Sequence, residues 1–289
     1  MAFIDRLQTV QEKQSSLVCV GLDTDPRLLP AHLQGQPDAV LEFNRLIIEA
    51  THDLVCAYKM NLAFYEILGE HGWSILKRTL KFIPSSVLTI GDGKRGDIGN
   101  SSDRYARALF QQVGFDAVTV HPYMGFDSIE PFLKDAERGV FVLTLTSNPG
   151  SKDFQRLAVG TAPLYLWVAR AAQQWNTKRN VGLVVGATHP KQLKLIRRAV
   201  PDLPILIPGV GAQGGDLKTA VRFGCVSSGN LALITVSRSI IYASSGKDFA
   251  EAARTAAQNL RDEIRRLQKE FASGKHLIEP LEPQIPGEP

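Results

Sequence analysis

Short runs of apolar and β-branched residues recur along the chain, and each ends in polar or glycine-rich residues. They are LVCVGLD (17–23), AYKMNL (57–62), VLTIGDGK (87–94), AVTVHPYMG (117–125), VFVLTLTSN (140–148), VGLVVGAT (181–188), PILIPGVG (204–211) and ALITVSRSI (232–240). Near-continuous hydrophobicity, without strict alternation, is what parallel strands buried on both faces require. Between them, 39–54, 64–82, 101–113 and 248–271 carry apolar positions at helical spacing, and the third of these opens with Ser101 at an N-cap position. Strand–helix alternation repeated eight times predicts an α/β fold of the (β/α)8 TIM-barrel type, with a doubly wound sheet as the alternative. No internal repeat or linker divides the chain, so 1–275 is read as one barrel domain. The remainder, 276–289, is a Pro-rich tail, and Pro280, Pro283, Pro286 and Pro289 prevent it from continuing a helix.

Composition narrows the class. With 289 residues the chain can bury a sizeable core, and 44% apolar against 21% charged residues marks it as globular. A net charge of +4 suits a small anionic substrate, and no Lys/Arg run points to nucleic acid. Cys19, Cys56 and Cys225 are widely spaced and form neither a disulfide framework nor a C-x-x-C metal pattern; Cys19 and Cys56 read as small core residues. The N-terminal MAFIDRLQTVQEKQSS carries acids and has no long apolar stretch, so it does not read as a signal peptide. No run of about 20 apolar residues offers a membrane span. A cytoplasmic protein without a membrane partner is the expectation.

The candidate chemistry lies where the strands end. Active sites of such barrels occupy the C-terminal ends of the strands. Those ends carry Asp23, Lys59 with Asn61, Asp92 with Lys94, His121, Ser147 with Asn148, Gln213 and Arg238. A packed core alone does not explain acids and lysines on three successive strands. Asp92 and Lys94 are two apart on a strand, which predicts that both project to one face. Asp97 follows in the turn. If Lys59 reaches the same mouth, charges of alternating sign surround one small space. Each carboxylate then holds a lysine protonated, and each lysine holds a carboxylate ionised. Such an array suits proton transfer to a developing carbanion.

The glycine-rich PGVGAQGGD (208–216) opens with Pro208 and follows strand seven. Its backbone N–H groups are expected to approach a phosphate, with Gln213 donating a side-chain hydrogen bond and Arg238 clamping the same group. It lacks the G-K-[ST] ending of a P-loop. His121 reads as a structural histidine at a strand end. Ser147 has no G-x-S-x-G context, so it reads as a hydrogen-bonding residue and not a nucleophile. Histidines and cysteines show no metal spacing, and no cofactor is expected.

Taken together, GLDTDP, YKMN, DGKRGDIGNSS, LTSNPGS, PGVGAQGGD and SRSI resemble, in order, the motifs of the orotidine 5'-monophosphate decarboxylase family. The resemblance spans roughly 15–245. Length, the SNPGS form and the extended C-terminal part are similar to the bacterial longer-chain subgroup, with no room for a fused phosphoribosyltransferase domain. The resemblance implies a homodimer acting on orotidine 5'-monophosphate and forming uridine 5'-monophosphate. By the same resemblance Lys94 protonates C6, Asp92 lies beside the departing carboxylate, and Asp97 reaches the other subunit's site. Lys59 completes the array and helps to hold the ribose, Asp23 binds a ribose hydroxyl, Ser147 contacts the pyrimidine, and Gln213 and Arg238 bind the phosphate. Ser101 stands where some relatives have a ribose-contacting threonine, and Ser237 where some have glycine.

Two rival readings remain from sequence. One is a Mg²⁺-dependent sugar-phosphate decarboxylase or synthase of the same superfamily, in which an acid is expected at the position of Lys59. The other is a non-catalytic nucleotide-phosphate-binding barrel, which fold alone does not exclude.

Overall fold

The computed structural model describes residues 1–211 and 214–273. Eight parallel strands close into a barrel: β1 (Val18–Gly21), β2 (Ala57–Asn61), β3 (Leu88–Arg95), β4 (Ala117–Val120), β5 (Gly139–Leu145), β6 (Val181–Val185), β7 (Ile205–Pro208) and β8 (Ala232–Val236). Each falls on one of the apolar runs. Sequential strands are neighbours, and β1 pairs with β8, so the sheet has no edge and the doubly wound alternative is excluded. Helices between the strands bury the outer faces of the barrel in one apolar layer.

The inside of the barrel is a second cluster, built from Cys19, Cys56, Leu88, Ile90, Phe141, Leu206 and Leu233 among others. Its floor comes from an element that the sequence reading did not foresee. The N-terminal segment forms a helix, α1 (Phe3–Gln14), whose Phe3, Ile4 and Leu7 are buried in that cluster. Phe3 meets Phe141 edge to face with ring centroids 6.0 Å apart. Gly139 makes room for it, since a Cβ there would lie 2.4 Å from the Phe3 ring. The apolar spacing of Phe3, Ile4, Leu7 and Val10 was the available signal.

Two helical expectations change in detail. The segment 64–82 is two helices, α2 (Ala63–Glu66) and α3 (Gly69–Leu80), and not one. Gly72 packs so tightly on the Tyr65 carbonyl that a Cβ would collide with it, and Gly69 turns the chain with φ of +61°. The next helix, α4 (Gly99–Arg107), starts at Gly99, with Ile98 at its N-cap. Ser101 is therefore inside the first turn and not at the cap. The chain is turned earlier by Asp97, whose carboxylate accepts the Ile98 N–H at 2.8 Å.

Among the described residues no helix is long and apolar enough to cross a membrane. The tail from residue 276, and Gln213, lie outside the described residues.

Candidate active site

The C-terminal ends of the strands surround a cavity of about 770 Å³. Its lining includes Asp23 after β1, Lys59 and Asn61 on β2, Asp92 and Lys94 on β3, Ser147 after β5, Pro208 ending β7, and Arg238 after β8. Asp97 and Ser101 are not in that lining. Their chain has already turned away into α4, and Asp97 is half-buried there.

At the centre is the Asp92 carboxylate, 8% exposed. Lys59 donates to its Oδ2 at 2.9 Å, and Lys94 donates to its Oδ1 at 2.8 Å. Burial by itself would raise the Asp92 carboxyl. The Lys59 and Lys94 charges, and their hydrogen bonds, outweigh burial and hold it well below the usual carboxylate range. Lys59 is 5% exposed and also lies 3.6 Å from Asp23. Burial opposes its charge, but Asp23 and Asp92 overcome that and push the ammonium above its ordinary range. Asp23 is anchored in turn by accepting the Asn61 backbone N–H at 3.1 Å.

Asp92 and Lys94 do meet on one side, but not through simple strand alternation. Gly91 pairs with Val118 and Arg95 with Val120, so three residues of β3, Asp92 to Lys94, oppose the single Thr119 of β4. This is an enlarged β-bulge, a device that re-aims side chains near active sites. Lys94 takes a left-handed φ of +48° within it, a conformation that costs a non-glycine residue on the order of 1 kcal/mol. The Lys94 side chain remains 45% exposed and points into the cavity mouth.

At the opposite side of the cavity are Pro208, Gly209, Val210 and the Ser237–Ser239 segment. Arg238 is not within β8. It is exposed and opens a short helix, Arg238–Ile241, two residues after the strand ends. Ser237 donates its hydroxyl to the Gly21 carbonyl at 2.9 Å and so ties β8 to β1. The glycine loop differs from expectation in one respect. The N–H groups of Gly211, Gly214 and Gly215 are donated to carbonyls of the loop itself. They shape the loop and are not free to meet a phosphate.

Several supporting residues escaped the sequence reading. Thr119 hydrogen-bonds the first and last residues of the bulge, Asp92 and Lys94. Gln155 accepts the Thr146 N–H and donates to the Thr146 hydroxyl, which fixes the segment leading into Ser147. Beneath Asp23, the Thr24 hydroxyl donates to Asn44, Asn44 donates to Tyr65, and Tyr65 donates to the Leu22 carbonyl. For Thr119 and the Asn44 network the local signal was a buried polar residue in an apolar segment, with partners 20 or more residues away, whereas Gln155 is half-buried and only nine residues from Thr146. His121 is outside the lining and packs on Gly96, where a Cβ would lie 2.4 Å from its ring. Among the described residues no group of His, Cys, Asp or Glu is arranged to hold a metal ion.

The model of the orotidine 5'-phosphate decarboxylase / HUMPS family matches residues 16–255. The chain belongs to this family. It is 52% identical over 275 residues to the orotidine 5'-phosphate decarboxylase of Thermomicrobium roseum, covering 94% of this chain and 98% of that one. The structure of Leishmania donovani OMP decarboxylase is similar with a TM-score of 0.82 at 39% identity, over 93% of this chain and 100% of that chain. The chain also matches Leishmania donovani UMP synthase with a TM-score of 0.83 at 40% identity, over 93% of its own length but only 57% of that longer chain. These similarities extend over 93–94% of this chain, the span that contains the charged cavity.

Proposed function

We infer that this chain is an orotidine 5'-phosphate decarboxylase, converting orotidine 5'-monophosphate to uridine 5'-monophosphate and CO2 in pyrimidine biosynthesis. Family membership and the close similarity to a decarboxylase over nearly the whole chain support the activity. The observation that carries the mechanism is the Asp92 carboxylate held between the Lys59 and Lys94 ammonium groups.

Decarboxylation breaks the bond from C6 of the pyrimidine to the carboxylate carbon and leaves the electron pair on C6. CO2 departs. In our reading Lys94, aimed by Asp92, presents a fixed positive charge where that pair develops, a preorganised electrostatic stabilisation. It then delivers its proton to C6 and recovers one from solvent at the open mouth. Asp92 keeps Lys94 in position and faces the departing carboxylate. Lys59 and Asp23, with Asn61 behind them, bind the ribose. Ser147 bonds the pyrimidine. Arg238, with Pro208 and Gln213, binds the phosphate, far from the bond that breaks. Binding energy there orders the site for the reaction.

Asp97 completes a site from across a two-fold axis in this reading. Its absence from the cavity of its own chain supports that role. So do the exposed Ile98 beside it, and Ile67 and Tyr123 after the neighbouring strands, which are apolar surface of the kind a partner covers. Ser101, in the same turn, accompanies it. A cytoplasmic homodimer of barrels, each spanning 1–275 with a tail beyond, is the assembly we propose.

The Mg²⁺-dependent rival is disfavoured by Lys59. Its ammonium lies between Asp23 and Asp92, where a divalent ion would need those carboxylates. The non-catalytic binder has no use for the buried charge array.

Incubation with orotidine 5'-monophosphate should shift the ultraviolet absorbance from that of the substrate to that of uridine 5'-monophosphate, in EDTA as well as without it. Lys94→Ala should abolish turnover and still bind uridine 5'-monophosphate. Decarboxylation by Lys94→Ala within tenfold of the parent would overturn the role of this lysine, and an absolute Mg²⁺ requirement would favour the rival.

A further inference from the structure

Thr119 is fully buried on β4 and does not line the cavity. Its flanking residues Val118 and Val120 belong to the apolar layer beneath the helices, so Thr119 faces the barrel interior. A valine has nearly the same shape and would suit apolar surroundings, so packing alone gives no reason for a hydroxyl.

The hydroxyl is placed where the β3 bulge leaves two groups in need of a partner. Three residues oppose one there, so the Lys94 N–H falls out of the regular ladder. Thr119 Oγ1 accepts that N–H at 2.9 Å. The same Oγ1 donates its proton to Asp92 Oδ1 at 2.8 Å. A hydroxyl can do both at once, because it has one proton to donate and lone pairs to accept with. Neither Val nor Ala can do either. Asp92 Oδ1 is also the oxygen that receives Lys94 Nζ at 2.8 Å. One side chain from the neighbouring strand thus holds the left-handed backbone of Lys94 and the carboxylate that aims its ammonium.

We propose that Thr119 is the positioning residue for the Asp92–Lys94 pair, clamping the bulge so that the ammonium is preorganised for protonation at the reacting carbon. The proposal rests on the decarboxylase reading given above. Thr119 touches neither substrate nor reacting atoms, and its effect passes through Lys94 and Asp92. Its loss should therefore act on the chemical step and spare binding. The ribose and phosphate contacts come from other strands and loops.

The test compares the parent with Thr119→Val, Thr119→Ala and Thr119→Ser in steady-state decarboxylation, with thermal melting and uridine 5'-monophosphate binding measured on each. Thr119→Val should lower kcat by about 10- to 100-fold, leave KM within about threefold and leave product affinity unchanged. Thr119→Ser, which restores the hydroxyl, should recover most of kcat even if its melting temperature falls. Thr119→Ala serves the same comparison should the Val variant fail to fold. A kcat for the hydroxyl-free variants within twofold of the parent would overturn the proposal. So would a Ser variant as slow as the Val variant, because that would tie the loss to packing and not to the hydroxyl. The parent assay separates the two readings. An inactive parent sinks the functional inference and this proposal with it, whereas an active parent with equally active variants sinks the role of Thr119 alone.

Discussion

At the residue scale, Asp92 illustrates how a buried charge is kept. Burial disfavours its ionised form, and the two ammonium groups of Lys59 and Lys94 reverse that preference. The sign of the pH dependence follows. The folded-state pKa lies below the ordinary 3.8, so the carboxylate's pH-linked contribution to stability is present above that value and is lost as pH falls through the folded pKa. Lys59 has the opposite sign. Its folded pKa lies above the ordinary 10.5, so its contribution is complete below that value and is lost as pH rises through the folded pKa. The parent-minus-Asp92→Asn difference in denaturant stability should therefore stay flat from pH 8 to about 4 and change only on further acidification. A steady drift between pH 8 and 5 would contradict this account of Asp92. Arg238 belongs at this scale too. It is exposed at the cavity edge and opens a short helix, and its side chain makes no ion pair among the described residues. Arg238→Ala should cost the phosphorylated substrate about 2–5 kcal/mol in kcat/KM and a phosphate-free analogue little. Equal losses with both substrates would show a structural role.

At the element scale, the strands were legible because burial on both faces demands unbroken runs of apolar residues, and eight such runs stand in the chain. Helix limits were less so. The segment 64–82 has one continuous periodicity, yet Gly69 and the approach of Gly72 to Tyr65 divide it. Strand β3 shows the same limit for a functional element. D-x-K implies a shared face by alternation. The pair does reach one cavity, but through a bulge and a left-handed lysine. Alternation gave the right neighbours for the wrong reason, since a bulge depends on register with β4 and not on the β3 sequence alone.

At the scale of the whole molecule, barrel closure gathers residues from positions 23 to 238 around one cavity, and α1 fills the other end. The proposed dimer gives a direct test. If each site takes Lys94 from one chain and Asp97 from its partner, Lys94→Ala and Asp97→Ala proteins are each nearly inactive. Co-refolded in equal amounts, half the dimers are hybrids with one intact site, so roughly a quarter of parental activity should return for random pairing and independent sites. No recovery, with hybrids confirmed by mass, would place Asp97 in its own chain's site.

The order of strands, the barrel class and the acids and lysines at strand ends were determined by the sequence itself. Each is a local property: hydrophobic period, turn residues, and charge at the end of a run. Ser147, Asn61 and Pro208, which line the cavity, were picked out in the same way, by their places towards the ends of apolar runs. The partnership of Thr119 with Asp92 and Lys94, the tie from Ser237 to Gly21 and the Asn44 network were decided only by tertiary structure. These are contacts across strand pairs or between remote helices. A single threonine in AVTV carries no local mark of the bulge it faces, because the bulge exists only once β3 and β4 are in register.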